Sequence, residues 1–195
     1  MTSAPPRVYD PRHGDWVFDT CSLRNFEPSG LLGDLALKFQ GRARLVDEVI
    51  DELPANSPCL SFPWYQRQSV VLPEHAQLYR ALRGHWRSAF GADRGEAACI
   101  TMAFANGWGF ITDDCTAFST ATNNMACLAT MRTTALILAM VRAAWVSADQ
   151  AWAGYQAMIS AKREKLGPIP WADRTGFDAL CKVAGFDPRP KCDEQ

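Results

Sequence analysis

Short apolar runs are spaced along this chain, and two of them end at acidic residues. Residues 16–18, Trp-Val-Phe, form one run and are followed by Asp19. Residues 107–112 form another and are followed by Asp113 and Asp114. A short apolar run of this kind predicts a buried β-strand. The sequence therefore predicts two strands that end at carboxylates.

Between and after these runs, apolar residues recur at the three-to-four-residue spacing of helices. The segments with this spacing are 31–39, 46–53, 75–90, 96–106, 131–144 and 147–165. Residues 125–129 are a further candidate strand, and the proline-rich stretch 54–73 predicts a long loop. Strands that alternate with helices predict an α/β fold, with a mainly parallel central sheet and helices on both faces.

The length of 195 residues suits one domain with an appendage. We expect residues 1–13 to be a flexible leader and residues 14–146 to form the domain. Residues 147–195 are expected to be a helical and irregular C-terminal extension packed on it. The leader has no apolar run like that of a signal peptide, and the most apolar stretch, Ala135 to Val146, is too short to span a bilayer. These features predict a cytoplasmic protein that does not associate with membranes.

Charge and cysteine content narrow the classes of function. The formal net charge of −1 gives no global attraction to nucleic acid, so any RNA contact must come from local basic patches or a bound cation. The seven cysteines are an odd number and include no Cys-x-x-Cys pair. This argues against a structural zinc site and a secreted disulfide framework, and we expect reduced thiols. The cysteines are Cys21, Cys59, Cys99, Cys115, Cys127, Cys181 and Cys192.

Five acidic residues are candidates for one site. Ligands of parallel sheets collect at the carboxyl ends of the strands, where Asp19, Asp113 and Asp114 are expected. Glu96 lies in the first turn of an otherwise uncharged helix, and Glu52 closes the preceding amphipathic helix. Carboxylates brought together near a core repel one another and need a counter-charge. Oxygen ligands of this kind suit Mg²⁺ or Mn²⁺, which activates water and stabilises charge on a phosphoryl group.

Most of these acids also have a structural interpretation at the start of a helix. Glu96 would be favoured there by the helix dipole. Asp113 and Asp114 could form a turn and an N-cap, and Asp19 could cap a short helix after the first strand. Singly, none of the acids is diagnostic. Together, at strand and helix ends, they favour a site.

The identity of the acid from the amphipathic helix is the most open. Glu52 could be a solvated charge at the helix end. Glu48 or Asp51 lies close enough in the sequence to take its functional role. All three remain candidates for that position.

Four short motifs in a fixed order resemble those of the PIN domain, the metal-dependent ribonuclease fold of the VapC-like toxins. The resemblance covers roughly residues 15–146, and the segment 133–138 resembles the helix that follows in the subgroup with Gly-Glu-x-x-Ala and a paired Asp-Asp. It implies a three-layer α/β sandwich. The motifs are Val17-Phe18-Asp19-Thr20, Val49-Ile50-Asp51-Glu52-Leu53, Gly95-Glu96-Ala97-Ala98 and Gly109-Phe110-Ile111-Thr112-Asp113-Asp114.

The resemblance also implies roles for individual acids. Asp19, Glu96 and Asp114 would be metal ligands. Asp113 would be a further ligand or a neighbouring acid, and Glu52 an outer member of the catalytic set. The resemblance thus implies an Mg²⁺ or Mn²⁺ site built from strand-end and helix-end carboxylates.

Hydroxyl and arginine side chains complete the implied site. By the resemblance, the hydroxyls would orient carboxylates or bind phosphate. The arginines precede the Glu96 helix, and their own charge could guide phosphates toward the metal. The arginines have an equally good interpretation as a solvated helix face. These residues are Thr20, Ser22, Thr112, Arg83, Arg87 and Arg94.

The activity implied is metal-dependent endonucleolytic cleavage of RNA. The family further implies a toxin of a toxin–antitoxin or related stress or defence system, with an antitoxin protein as partner. The amphipathic segment 147–165 would either cover the sheet or support a homodimer. The loop 54–73 and the residues after 146 exceed a minimal PIN toxin.

Two other classes of enzyme fit these residues less well than a PIN-like nuclease. A haloacid-dehalogenase-type phosphatase requires a second aspartate two residues after its nucleophile, and Cys21 occupies that position. A cysteine nucleophile needs a histidine partner, but the three histidines lie in leader-like or exposed segments. Those histidines are His13, His75 and His85.

The non-enzymatic alternative is a PIN-like scaffold that binds RNA or a protein without cutting. Such a module would stack bases on exposed aromatic rings. The candidate rings are Trp64, Tyr65, Trp86 and Trp108, although Trp108 beside a strand fits core packing better. A silent module is expected to have lost its acids, and this chain retains them.

Overall fold

Five parallel strands form the centre of the molecule, which confirms the α/β class. The structure, a computed structural model, describes residues 6–61, 63–70, 72–87, 94–125, 127–161, 166 and 169–190. For residues 85–87 it describes the backbone alone. The strand order is β3-β2-β1-β4-β5. The strands are β1 (Trp16–Phe18), β2 (Ala43–Val46), β3 (Tyr65–Gln68), β4 (Gly109–Ile111) and β5 (Thr130–Met131).

Helices pack around this sheet and continue into the C-terminal extension. A short 3-10 turn at Pro58–Leu60 lies between β2 and β3. The helices are α1 (Thr20–Phe26), α2 (Leu32–Phe39), α3 (Asp47–Glu52), α4 (Pro73–Arg87), α5 (Arg94–Asn106), α6 (Cys115–Asn124), α7 (Thr133–Arg142), α8 (Ala148–Ala161) and α9 (Arg174–Cys181).

The central strand β1 sits where the direction of strand addition reverses. β2 and then β3 add on one side of β1, and the chain later returns to place β4 and β5 on the other side. Phe18 is paired with Ile111, so β1 and β4 end level with each other. In an open parallel sheet this reversal leaves a crevice at the carboxyl ends of the two strands, where ligands bind. The fold therefore points to the ends of β1 and β4.

Large side chains of the core surround β1, while small ones let α5 approach it. The Phe18 ring packs edge-on against Phe39 and Trp64, with centroids 5.1 and 5.4 Å apart. In α5 the buried residues include Ala97, Ala98 and Cys99, which allow the helix to lie close to β1, β2 and β4. The absence of charge noted in this helix thus reflects burial, except at its exposed ends.

Several predicted elements differ from those observed. The predicted helix over 46–53 begins only at Asp47, because Val46 belongs to β2. β3 and the 3-10 turn occupy the predicted loop 54–73. The candidate strand 125–129 is wrong, since β5 begins at Thr130. Apolar residues at the junction of a buried strand and a helix satisfy both spacings, so the spacing alone could not separate them.

Helices also occur in segments that have little periodic apolar pattern. α6 was predicted only as a turn or cap after Asp114, and α9 lies within the expected irregular lobe. Both are short and held by aspartate N-caps. The last residues of two predicted helices, 88–90 and 162–165, lie outside the described residues.

The C-terminal extension packs on the domain. α8 contacts α7 and α1, and Gly154 lies so close to Leu31 that an added Cβ would be 2.6 Å from Leu31 Cδ1. Aromatic rings join α8 to α9, with Phe177 fully buried between Trp152 and Trp171.

The first described residues are not a flexible leader, contrary to the prediction for 1–13. Val8 and Tyr9 are buried in the core. Asp187 holds this segment, because its Oδ2 accepts from Val8 N at 2.6 Å and its own N–H donates to Val8 O at 2.8 Å. The partner is 179 residues away, so no local pattern could reveal it. We call this contact the terminal clasp.

Two further expectations concern cysteines and membranes. Cys127 is disulfide-bonded, so the expectation of reduced thiols is wrong at that position, while five other cysteines are free. Pairing depends on Cβ atoms about 4 Å apart, which sequence spacing does not report. Among the residues that the structure describes, no helix is both long and apolar enough to cross a membrane.

Gly109→Ala is expected to destabilise the fold. A Cβ at Gly109 would overlap the ring of Trp16, which is fully buried and cannot turn outward. Overpacking of this kind costs about 1–3 kcal/mol, measurable as a lower urea midpoint. Gly84→Ala in α4 is the control, because its Cβ would meet no atom within 4 Å and should add about 0.5–1 kcal/mol of stability. Equal midpoints for the two variants would contradict the packing described.

Candidate functional site

Asp19 is the buried carboxylate at the end of the central strand. Its side chain is 3% exposed, and its Oδ1 accepts from Cys21 N at 3.4 Å, which caps α1. The backbone N–H of Asp19 donates to Ile111 O at 3.1 Å, which ties the end of β1 to the end of β4. A charged group with so little water around it must be satisfied by the protein or by a ligand.

Two side chains connect Asp19 to the loop after β4. Thr112 Oγ1 donates to Asp19 Oδ2 at 2.5 Å and accepts from Asp114 N at 3.1 Å. Cys21 Sγ donates to the same oxygen at 3.0 Å and accepts from Asp113 N at 3.3 Å. Each side chain therefore accepts a hydrogen bond from a backbone N–H and donates one to the Asp19 carboxylate. Such chains hold Asp19 in one orientation relative to the β4 loop.

This arrangement keeps the thiol of Cys21 protonated. Burial raises its pKa well above the usual range, and the negative charges of Asp19 and Asp113 raise it further. A neutral thiol is a hydrogen-bond donor and a poor nucleophile. Cys21 is thus a donor to Asp19, in keeping with the rejection of a cysteine nucleophile.

Glu52 lies between Asp19 and Glu96, which the sequence did not indicate. Its Oε2 accepts from Thr20 Oγ1 at 2.6 Å, next to Asp19 along the chain. Its Oε1 accepts from Gly95 N at 3.2 Å, next to Glu96. Gly95 permits this approach, because an added Cβ would lie 2.9 Å from either carboxylate oxygen. The acid expected at the edge of the site thus joins α1, α3 and α5.

The buried thiol of Cys99 lies at the end of β1, close enough to these acids for their charges to act on it. Its pKa is raised well above the usual range, first by burial and then by the charges of four acids. Cys99 Sγ itself lies 3.7 Å from Phe18 O, at the end of β1. The four acids are Asp19, Glu52, Glu96 and Glu48. Of these, Glu48 has a buried Oε2 that bonds to no partner among the residues described.

Both carboxylate oxygens of Asp113 accept hydrogen bonds from helices beside the site, and its backbone N–H donates to Cys21 Sγ. Its Oδ1 accepts from Thr133 N at 3.0 Å, at the start of α7. Its Oδ2 accepts from Asn25 Nδ2 at 2.7 Å, on α1. With 3% of its surface exposed, Asp113 joins two helices to the end of β4. Its role in the described structure is structural.

Asp114 is more accessible than Asp113. Its Oδ1 caps α6 by accepting from Ala117 N at 2.7 Å, so the cap interpretation is correct for this residue. Capping occupies one carboxylate oxygen, and the side chain is only partly buried. Asp114 can therefore cap the helix and still present an oxygen to a ligand.

The hydroxyl candidates bond either to the carboxylates of the site or to backbone carbonyls. Thr20 and Thr112 bond to Glu52 and Asp19, respectively. Ser22 is fully buried and donates to Asp19 O at 2.9 Å and Ile111 O at 3.2 Å. It is therefore not placed to bind phosphate, because its hydroxyl joins the ends of β1 and β4.

The predicted arginines lie along α4 and the start of α5. Arg94 is exposed, and its pKa is raised by a hydrogen bond to Tyr79 and then by the charges of Glu48 and Asp51. Arg83 is half-buried in α4, whereas the side chain of Arg87 lies outside the described residues. Arg94 is thus close enough to the acids of α3 for their charges to stabilise its protonated form.

The aromatic candidates for base stacking lie elsewhere. Trp64 is buried against Phe18, and Tyr65 packs on Trp64. Trp108 precedes β4, at the amino ends of the strands, and stacks on Arg44. The side chain of Trp86 lies outside the described residues. Core packing accounts for the three that are described.

The donor set suits a divalent cation, although no complete cage is formed. Asp19, Glu52, Glu96 and Asp114 supply carboxylate oxygens, the ligands that Mg²⁺ and Mn²⁺ take. Within the described ranges, however, no group of three His, Cys, Asp or Glu side chains is arranged to hold a metal ion. The predicted set of Asp19, Glu96 and Asp114 is therefore brought to one edge without being closed around a common point.

By its fold and site, the chain is an α/β protein with an acidic centre where the direction of strand addition in the parallel sheet reverses. No protein-family model and no curated protein matches this chain. The similarity to PIN domains thus stays a prediction from the sequence.

Two residues of the site could not be found by the sequence reasoning. The bond from Cys21 to Asp19 is not evident from any motif, and Asn25 lies in the last turn of α1 outside the motifs. The signal for Cys21 was its position two residues after a strand-end aspartate, where its side chain can turn back toward the carboxylate.

Asp113→Asn is expected to lower stability more than Asp114→Asn. An amide at position 113 has one acceptor oxygen for the two donors Thr133 N and Asn25 Nδ2, at a cost of about 1–3 kcal/mol. Asparagine is as good an N-cap as aspartate, so the change at position 114 should be within a few tenths of a kcal/mol. Urea denaturation measures both. The reverse order would contradict the structural role of Asp113.

Proposed function

We propose that this chain is a divalent-metal-dependent phosphodiesterase that cuts RNA. The observation that carries the proposal is the convergence of Asp19, Glu52 and Glu96, with Asp114 on the adjacent loop. Three separate helices and two strands contribute to it, and the site lies at the sheet edge where parallel sheets bind ligands. The similarity of the four sequence motifs to PIN domains supports RNA as substrate.

Each group has a distinct task in this proposal. Asp19, Glu96 and Asp114 would hold the Mg²⁺ or Mn²⁺ ion, with Glu52 beside them. Bound there, the ion would activate water and offset the charge that develops on the phosphoryl group. Thr112 and Cys21 orient Asp19, and Thr20 orients Glu52. These neutral donors keep the carboxylates in place without competing as counter-ions.

The toxin role and an antitoxin partner belong to the same proposal and rest on the sequence resemblance alone. A homodimer through α8 rests on the amphipathic pattern of residues 147–165. The cytoplasmic location also stays a prediction, and the disulfide at Cys127 argues against it, because disulfides are rare in that compartment.

Mn²⁺ is expected to raise the melting temperature of the wild-type chain. Binding to the folded state alone, at ten times the dissociation constant, adds about 1.4 kcal/mol, or roughly 4 °C for a chain of this size. Asp19→Asn should reduce the metal-induced shift, whereas Glu74→Gln, an exposed acid at the start of α4, should keep it. Differential scanning fluorimetry with Mn²⁺ and with EDTA measures the shift. A wild-type melting temperature indifferent to millimolar Mn²⁺ would count against a metal site.

Metal-stimulated cleavage of single-stranded RNA is expected, and it should stop in EDTA. Asp19→Asn and Glu96→Gln should each reduce kcat by about 10²–10³, because each removes a charge that the ion needs. Glu74→Gln, the same chemical change at an exposed acid outside the proposed ligand set, should leave kcat unchanged. Fluorescent-RNA assays measure the rates, and circular dichroism establishes that each variant is folded. Full activity in a folded Asp19→Asn variant would reject the mechanism.

A non-catalytic binding module is the second candidate. The observation that favours it is that no three of the described side chains form a ready metal cage. A pure preparation that binds RNA but shows no cleavage with Mg²⁺ or Mn²⁺ would favour this alternative.

A further inference from the structure

Arg132 follows the last strand of the sheet, on the same edge as the acidic site. It is the residue after Met131, which ends β5, and it is the N-cap of α7. β5 pairs with β4 in parallel, so Arg132 lies beside the loop that holds Asp113 and Asp114. None of the four sequence motifs includes it.

The guanidinium of Arg132 is held against the start of α6. Its central carbon lies 4.1 Å from the centroid of the Phe118 ring, which is cation–π distance. Its Nη1 donates to Asp113 O at 3.0 Å, and its Nη2 lies 3.9 Å from Cys115 Sγ. The charged group is therefore fixed next to Asp114 before any ligand arrives.

Arg132 uses its donors differently from four other arginines of the described structure. Arg44, Arg67 and Arg174 each form an ion pair with an aspartate. Arg142 donates to two backbone carbonyls, those of Leu180 and Gly185.

Arg132, among the residues described, has no carboxylate partner and bonds to one oxygen only. A guanidinium carries five N–H donors, so Arg132 retains donors that can bind an anion.

We propose that Arg132 binds a phosphate of the RNA strand, on the β5 side of the acidic site. This inference rests on the proposed function, because it assigns the side chain that binds the substrate beside the acidic site. The acids of the site repel phosphate, and a net charge of −1 offers no general attraction. A fixed guanidinium offsets that repulsion locally, and its planar fork matches two phosphate oxygens.

The test is binding of a fluorescein-labelled single-stranded RNA in EDTA, which separates binding from cleavage. Fluorescence anisotropy is measured over a series of KCl concentrations. Arg132→Gln should weaken binding about tenfold at low salt, the loss expected for a charged hydrogen bond. The slope of log K against log salt should shrink by about 0.7, the value for one phosphate on a single strand.

Two variants separate this role from a loss of structure. Arg132→Lys keeps the charge and should retain most of the salt slope while losing part of the affinity. Arg12→Gln is the matched control, because Arg12 is an exposed arginine paired with Asp10, before the amino end of β1. It should leave both affinity and slope unchanged. Melting temperatures of all variants establish that they are folded.

The outcomes distinguish this inference from the proposed function. RNA binding that depends on Arg132, without metal-stimulated cleavage, would support the inference and reject the nuclease. Cleavage by the wild type, with affinity and slope unchanged in a folded Arg132→Gln, would keep the nuclease and overturn the role of Arg132. The role is also overturned if wild type binds no RNA at low salt, or if Arg12→Gln loses as much affinity as Arg132→Gln.

Discussion

A nearly dehydrated carboxylate at the end of the central strand is the constraint on which the rest of the site depends. Burying a charge costs several kcal/mol unless hydrogen bonds or an opposite charge replace the lost water. At Asp19 the replacement comes from its own helix, through Cys21, and from the neighbouring strand, through Thr112. The bond from Thr112 requires β1 and β4 to be adjacent and level. The register of the sheet and the position of the loop after β4 are therefore coupled to the satisfaction of one side chain.

The same loop shows how two consecutive aspartates take different roles. Asp113 turns inward and binds the start of α7 and the side chain of Asn25. Asp114 turns toward solvent and caps α6. Alternation along an extended backbone sends neighbouring side chains in opposite directions. Asp113 thus joins the helices around the site, while Asp114 stays accessible at the end of β4.

The sequence allowed the fold class and the acids at the ends of β1 and β4 to be predicted, because short apolar runs followed by aspartate are a local signal. It did not allow β3 to be found, since the polar edge strand Tyr65–Gln68 carries no apolar pattern. The position of Glu52 was underestimated for a different reason. Its two partners, Thr20 and Gly95, lie 32 and 43 residues away, and only the tertiary structure brings them together. Arg132 was not predicted, because the sequence around an arginine before a helix does not indicate whether its charge is paired.

The terminal clasp between Val8 and Asp187 has a consequence for how the molecule assembles and opens. Closing a loop of this length costs chain entropy that rises with the logarithm of its length, and the two segments contribute few hydrogen bonds in return. A pairing between segments this far apart must close nearly the whole chain before it forms, and terminal segments open locally more easily than central strands. The clasp is therefore expected to be the last part to form and among the first to open. Amide hydrogens there should exchange well before those of β1.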